Sequence, residues 1–383
     1  AVRKYGGEQS LLPLADDELD GALGLTVEHR GRRVPTVAGL LLLGTEPLLR
    51  RYLPAYEVAF QVLRGTDVQV NEFYRKPLLE TFEEVELQFK PWVVEEELQV
   101  GLFRVPVPNY DRRAFREALV NALVHRDFSR LGAVHVKLDS SGLHISNPGG
   151  FIEGVTLDNL LVAPPHSRNP LLADIIKRIG LAERTGRGID RIYEGMLRYG
   201  RPAPDYSLSN ASLVSVFLAN VAADRDFLKM VVEQHDRLGD PIVEPLIILA
   251  RLRDERRLTT SDIAPVLQKS EAQTRTILER LLEAGMIEAH GSGRGRSYTL
   301  SAGVYQQSGQ KAAYIRQAGF DAIQQEQMVL KFIASHGGIK REEAMALCRL
   351  NKDQAYRLLK KLANAGIIRF EGKGKGGKYV LLG

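Results

Sequence analysis

Glu117, Asn121 and His125 follow one another at intervals of four residues, which is about one turn of a helix. If Asp111–Phe128 (DRRAFREALVNALVHRDF) is helical, Phe115, Ala118, Leu119, Ala122 and Leu123 face inward. The three polar groups then form one stripe beside that apolar face. An amide oxygen such as that of Asn121 suits magnesium, a hard cation that prefers oxygen ligands. A carboxylate such as Glu117 can polarise a water, and the His125 imidazole prolongs the row. Taken alone, the same stripe also suits a solvated helix face.

The segments that follow supply what the stripe lacks. Ala133–Leu138 and Leu143–Ser146 alternate as a two-stranded hairpin around Ser140-Ser141-Gly142. The second strand runs into the tight turn Asn147-Pro148-Gly149-Gly150. A loop-like stretch from Phe151 to Arg168-Asn169-Pro170 comes next, then a helix over Leu171–Ile179. Gly186 and Gly188 precede another helix, and glycines there let backbone amides approach phosphate oxygens. A lone Gly-x-Gly pair is equally at home in a plain helix-break turn. Upstream, Asp16–Leu23 reads as a helix, Thr36–Gly44 and Ala55–Leu63 as strands, and Phe82–Leu98 as largely helical.

The C-terminal part repeats itself. Leu258–Leu300 and Ile339–Leu381 align without a gap at an offset of 81, since 339 − 258 = 81. Each copy reads as short helix, turn, longer helix and Gly-rich ribbon, with Ser270 and Asn351 as caps of the longer helices. That outline is similar to a winged helix, which lays its second helix in the major groove and its wing on the backbone. Copy one has five basic and five acidic residues, whereas copy two has eleven basic and four acidic, a net of 11 − 4 = +7. DNA contact is therefore expected mainly from copy two, through Lys352, Arg357, Lys360 and Lys361 on the helix, Arg357 toward base edges, and Lys373, Lys375 and Lys378 on the wing toward phosphates. Arg275, Arg294 and Arg296 are the corresponding candidates in copy one. Winged helices also serve as protein-contact modules, with such charges merely solvated. The run from Gly372 to Lys378 imitates a P-loop, but Tyr379 stands where that motif needs Ser or Thr, and a strand pattern follows.

Composition narrows the class. With 44% hydrophobic and 26% charged residues in 383, the chain can bury a core, and two to three domains are expected at about 150 residues each. A single cysteine, Cys348, excludes disulfide scaffolds and cysteine zinc sites, and a reducing cytoplasmic setting is the natural reading. The longest apolar run, Val37–Gly44, falls well short of the ~18 residues of a membrane span.

In order, these pieces resemble the GHKL (Bergerat-fold) ATPase superfamily shared by gyrase, a class of heat-shock chaperones, MutL and histidine kinases. The resemblance implies that Asn121 binds magnesium, that Glu117 is the general base in hydrolysing members, and that the Asn147-Pro148-Gly149 turn reads the adenine amino group. It also implies that Gly186 and Gly188 lie under the phosphates, with His125, Gly149, Arg168 and Asn169 around the nucleotide. Asn147 departs from the superfamily's Asp, and the second glycine box is sparse. An amide accepts more weakly than a carboxylate, so hydrolysis is left open. The strings REALVNALVHRDF, ISNPGGF, RNPLLADIIKRIGLAERTGRGIDRI and TVAGLLLLGTEP resemble, more narrowly, prokaryotic predicted transcriptional regulators, also labelled RecG-like, that carry a Schlafen AlbA-like domain. Ala1–Gln9 resembles the last strand of that AlbA-like domain. No Walker A, DEAD-type box or tandem RecA-like pattern provides a helicase motor.

The expected fold is α+β: a GHKL-like sandwich, with helices on one face of a mixed sheet, followed by two winged helices. The expected boundaries are 1–20 for an AlbA-like remnant and linker, 21–220 for the ATP-binding domain, 221–305 and 306–383 for the winged helices. The expected function is a nucleotide-responsive DNA-binding regulator that takes ATP and Mg2+, binds duplex DNA, and pairs as a homodimer without membrane contact. The alternative is a DNA-processing or DNA-repair ATPase with Glu117 as base. A histidine kinase would need a phosphoacceptor helix pair, and none of the eight histidines sits in a long dimerising helix. A scaffold with an inert nucleotide fold completes the alternatives.

Overall fold

A mixed sheet of five strands carries the segment from Val58 to Ala219 in the computed structural model of the chain. The structure describes residues 1–182, 186–233, 243–301, 304, 322–348, 350–372 and 377–382. They fall into two units, Ala1–Ala284 and Gly285–Gly383.

The first unit opens with α1 (Val2–Tyr5), α2 (Asp16–Ala22), the hairpin β1 (Thr26–His29) and β2 (Arg32–Pro35), α3 (Val37–Leu43) and α4 (Glu46–Tyr52). Next come β3 (Val58–Arg64), β4 (Asp67–Tyr74), α5 (Leu78–Phe89), and a second hairpin, β5 (Glu95–Val100) with β6 (Phe103–Pro108). Helix α6 (Arg112–His125), strands β7 (Val134–Leu138) and β8 (Gly142–Pro148), helices α7 (Pro170–Arg178) and α8 (Gly188–Leu197), and strand β9 (Leu213–Ala219) complete the sheet and its cover. The strand order is β4-β3-β7-β8-β9. Only β3 and β7 run parallel, Val58 opposite Val134, and the other neighbours are antiparallel. Helix α5 packs on β3, α6 on β7 and β8, and α8 on α6. Val58, Phe60, Phe82, Leu119, Val134 and Leu143 are fully enclosed at 0% exposure, each such side chain contributing about 1.5–3 kcal/mol through burial. Phe89 and Phe115 stack with ring centroids 3.8 Å apart, fixing α5 against α6.

Several sequence expectations are corrected. Thr36–Gly44, expected as a strand, is the helix α3: the Thr36 hydroxyl accepts the Gly39 amide at 3.0 Å, and Gly39 lies against the Leu25 backbone where a side chain would not fit. A short apolar run carries no period to tell a buried helix from a buried strand. Ala1–Gln9 is not a strand either. Val2–Tyr5 is helical, the Tyr5 hydroxyl donates to Glu83 at 2.7 Å, and Glu8 pairs with Arg178 at 2.9 Å. The helical stretch expected over Phe82–Leu98 ends at Phe89, and Glu95 onward is strand β5.

The first unit continues with α9 (Arg225–Glu233), α10 (Val243–Glu255), α11 (Thr260–Leu267) and α12 (Glu271–Glu283). The second unit holds the ribbon Ile287–His290 with Ser297–Leu300, then α13 (Ala322–His336), α14 (Arg341–Cys348), α15 (Lys352–Asn364) and the ribbon Ile368–Glu371 with Lys378–Leu381. Every helix and ribbon strand of the second repeat begins and ends 81 residues after its counterpart in the first, as in 341 − 260 and 364 − 283. Ser270 and Asn351 both close capping boxes, with Gln273 and Gln354 respectively. Ile333, Ile339, Ala344, Leu359 and Ile368 join in one core in the second unit. Among the described residues no helix is long and apolar enough to cross a membrane.

Candidate functional site

Asp111 starts the helix that bears the polar stripe. Its carboxylate accepts the backbone amides of Arg113 and Ala114, both at 2.9 Å, satisfying donors that a helix start leaves free. Helix α6 stops at His125, earlier than the sequence suggested, because the chain beyond is drawn elsewhere. The buried Arg126 guanidinium donates to the carbonyls of Ala55, Asp127, Arg130 and Gly132. The Asn169 amide donates to the carbonyls of Val124 at 2.7 Å and Arg126 at 2.9 Å. Arg168 donates to His125 O at 3.2 Å and Gly150 O at 2.8 Å.

Along α6 the stripe faces a cavity of about 630 Å³. Glu117, Asn121 and His125 form one wall, Asn147 and Ile145 on β8 the floor, and Gly186, Gly188 and Asp190 the edge where α8 begins. The loop between β8 and α7 closes another side through Phe151, Leu160, Leu161 and His166. The cavity thus brings together Glu117, Asn121, His125, Asn147, Gly186 and Gly188. Gly149, Arg168 and Asn169 lie outside its lining and hold the loop ends and the C-terminal turn of α6. Gly149 has φ +97, and a β carbon there would run into Asp127.

The electrostatics vary around the wall. Glu117 is 5% exposed, and its carboxylate makes no hydrogen bond or ion pair among the described residues. Burial pushes this carboxyl above its ordinary value, opposed by the charges of Arg191 and Arg116. Burial, with Arg168 and Lys177 nearby, depresses His125 to about 4, so the imidazole is neutral at neutral pH. The Asn147 amide, 3% exposed, donates to Pro148 O at 3.2 Å. An amide held that way can turn its oxygen toward a donor in the cavity.

Sequence reasoning missed part of the lining. Pro170, Ala173, Asp174 and Lys177 of α7 all face the cavity at i, i+3, i+4 and i+7. That spacing was legible, but an Asp and a Lys on an amphipathic helix look like any solvated face. Tyr206, buried behind the floor, comes from a stretch without period.

Magnesium is commonly held by one or two protein oxygens together with phosphates. A half-buried amide at Asn121, one turn from a buried carboxylate without a hydrogen-bond partner among the described residues, fits that requirement. At Gly188 a β carbon would run into the Glu117 carboxylate, so the glycine is what leaves room for that side chain in the wall.

The basic candidates are spread more widely. Lys352, Arg357 and Lys360 are exposed on α15, with Lys360 over the Tyr356 ring at 5.6 Å. Lys361 pairs with Glu326 at 2.6 Å, and Lys378 donates to Gly337 O at 3.1 Å. Arg275 is exposed on α12, and Arg296 lies over the Tyr298 ring at 5.5 Å. Lys373, Lys375 and the Arg294 side chain lie outside the described residues.

Residues 132–218 match the family model described as "Putative ATP-dependent DNA helicase recG C-terminal". This stretch, from β7 to β9, is therefore similar to a RecG-like, ATPase-type domain, and the match begins after α6. The crystal structure of the DIP2311 protein from Corynebacterium diphtheriae aligns over 100% of this chain with a TM-score of 0.66 and 22% identity, which bears on the fold alone. The chain spans 66% of that protein's length. The mRNA-binding domain of elongation factor SelB from E. coli, solved with SECIS RNA, aligns over 42% of this chain and 99% of its own, at 12% identity and a TM-score of 0.17, too low to carry an argument. No curated protein matches the chain.

Proposed function

We propose that the chain is a nucleotide-responsive DNA-binding protein, a transcriptional regulator whose GHKL-type domain takes Mg-ATP and whose repeats act as winged helices on duplex DNA. One observation carries the reading: Glu117 and Asn121 on one helix, Asn147 on β8 and Gly188 at the start of α8 line a single cavity. The ATPase-type resemblance of residues 132–218 agrees with it.

In this reading Asn147 accepts from the exocyclic amine of adenine, and the apolar floor of Ile145, Val214 and Val216 covers the ring. Gly186 and Gly188 let the amides at the start of α8 meet phosphate oxygens, and Lys177 adds a positive charge across the cavity. Magnesium would supply charge neutralisation on the phosphates, with Asn121 as its protein ligand. Arg168 and Asn169 act indirectly, by fixing the end of α6. On the DNA side, the exposed face of α15 carries Lys352, Arg357 and Lys360, and the net charge of +7 in copy two concentrates phosphate affinity there. A homodimer would let two such faces meet two half-sites.

A second reading, an ATPase that processes or repairs DNA, is favoured by the environment of Glu117. A buried carboxylate with a raised proton affinity suits a general base.

Titration of the folded protein with Mg-ATP by calorimetry tests the site. Asn121→Ala is expected to weaken binding by about tenfold or more, ~1.4 kcal/mol, with its circular dichroism unchanged. Equal affinity in a folded variant would remove the assignment.

A further inference from the structure

Gln268 sits in the turn between α11 and α12, where its backbone is left-handed at φ 56, ψ 34. Its side chain reaches away from that turn. The amide oxygen accepts the backbone N–H of Leu161 at 2.6 Å, and the amide nitrogen donates to the carbonyl of Leu157 at 2.7 Å. Both ends of one side chain are thus engaged on the loop that closes the cavity, over sequence separations of 107 and 111 residues. Leu160 and Leu161 are themselves cavity wall. The next residue, Lys269, pairs with Glu244 at 3.0 Å at the start of α10, which packs on α8. Ser270 then caps α12. At the equivalent position of copy two, 268 + 81 = 349, the sequence has Arg349, so the contact is not a requirement of the repeat.

We infer that Gln268 is a clasp through which the turn of the first helix pair senses whether the cavity is occupied. The inference rests on the nucleotide reading above and specifies its regulation. A ligand that repacks residues 151–169 must carry the Leu157 carbonyl and the Leu161 amide with it. Gln268, bonded to both, then follows and moves the start of α12. That response gives the two arrangements of the loop different energies at the helix pair, which is what coupling between sites requires. The coupling is reciprocal, so a partner held on α12 alters nucleotide affinity by the same factor.

Hydrogen exchange of the full chain, with and without saturating Mg-ATP, tests this. In the wild type, exchange is expected to slow by roughly tenfold both in peptides covering 155–164 and in those covering 264–275. Gln268→Gly, which suits the left-handed backbone, should keep the first effect and lose most of the second. Gln268→Asn, one methylene too short to span both partners, should behave the same way. Protection of 155–164 without any change at 264–275 in the wild type would overturn the clasp and leave the nucleotide site standing. So would turn protection that survives both substitutions. Absence of protection anywhere in the first unit would remove the nucleotide reading and the clasp together.

Discussion

The carboxylate of Glu117 lies against the α carbon of Gly188, so that a β carbon at position 188 would overlap Oε1 of that carboxylate. Alanine is the better helix former, and at the first position of a helix it would ordinarily be harmless. Here Gly188→Ala is expected to destabilise the fold by about 1–3 kcal/mol through overpacking, or to displace Glu117 from the wall. Urea unfolding gives the first effect and Mg-ATP titration the second. A variant unchanged in both would show that the carboxylate moves aside freely.

Glu117→Gln keeps the shape of the side chain and removes its basicity. If the chain hydrolyses ATP with Glu117 as base, affinity should hold within about threefold while turnover falls by about 100-fold or more. A phosphate-release assay with and without duplex DNA measures it. Absence of turnover in the wild type under both conditions would favour the regulator over the enzyme.

His125 ties stability to pH. Its folded value of about 4 is below the ordinary 6.5, so the unfolded chain takes up the proton first as pH falls. Its contribution is therefore complete above pH 6.5 and is lost as pH drops from 6.5 toward 4, a loss on the order of 3 kcal/mol. Denaturant midpoints from pH 4 to 8 should slope downward in acid for the wild type and flatten in that window for His125→Gln. Parallel profiles would place the acid sensitivity elsewhere.

The repeats should differ on DNA although their elements recur at one offset. Neutralising Lys373, Lys375 and Lys378 is expected to weaken binding to all sequences alike and to lower the salt slope by up to about three units. Neutralising Arg275, Arg294 and Arg296 should do distinctly less. Fluorescence anisotropy across a salt series compares the two; equal losses would mean that local net charge does not select the binding repeat.

The repeat was legible because the same residue types recur at one offset, and helix α6 and the β7–β8 hairpin because each shows the period of its element type. Positions such as Ser270 and Asn351 also announce their caps by residue type. Thr36–Gly44 was not legible, because an unbroken apolar run has no period and the decision fell to Thr36 as a cap and to Gly39 against Leu25. The stripe of Glu117, Asn121 and His125 could be read, but its confluence with Lys177 and Tyr206 depends on packing across the cavity. Arg168 and Asn169 show the opposite limit. The resemblance set them around the nucleotide, whereas their donors reach backbone carbonyls at the end of α6.

The bond from Arg168 to Gly150 O joins the two ends of the segment that walls the cavity. A chain segment whose ends are already tied behaves as a closed ring, and the entropy of closing a ring grows only with the logarithm of its length. Doubling the segment would cost about 0.6 kcal/mol, less than the loss of one well-buried methylene. Residues inserted beyond Val162 should therefore leave the sheet and α6 in place while changing the volume enclosed. Length in this segment can then be varied to fit a larger or smaller ligand almost independently of the fold.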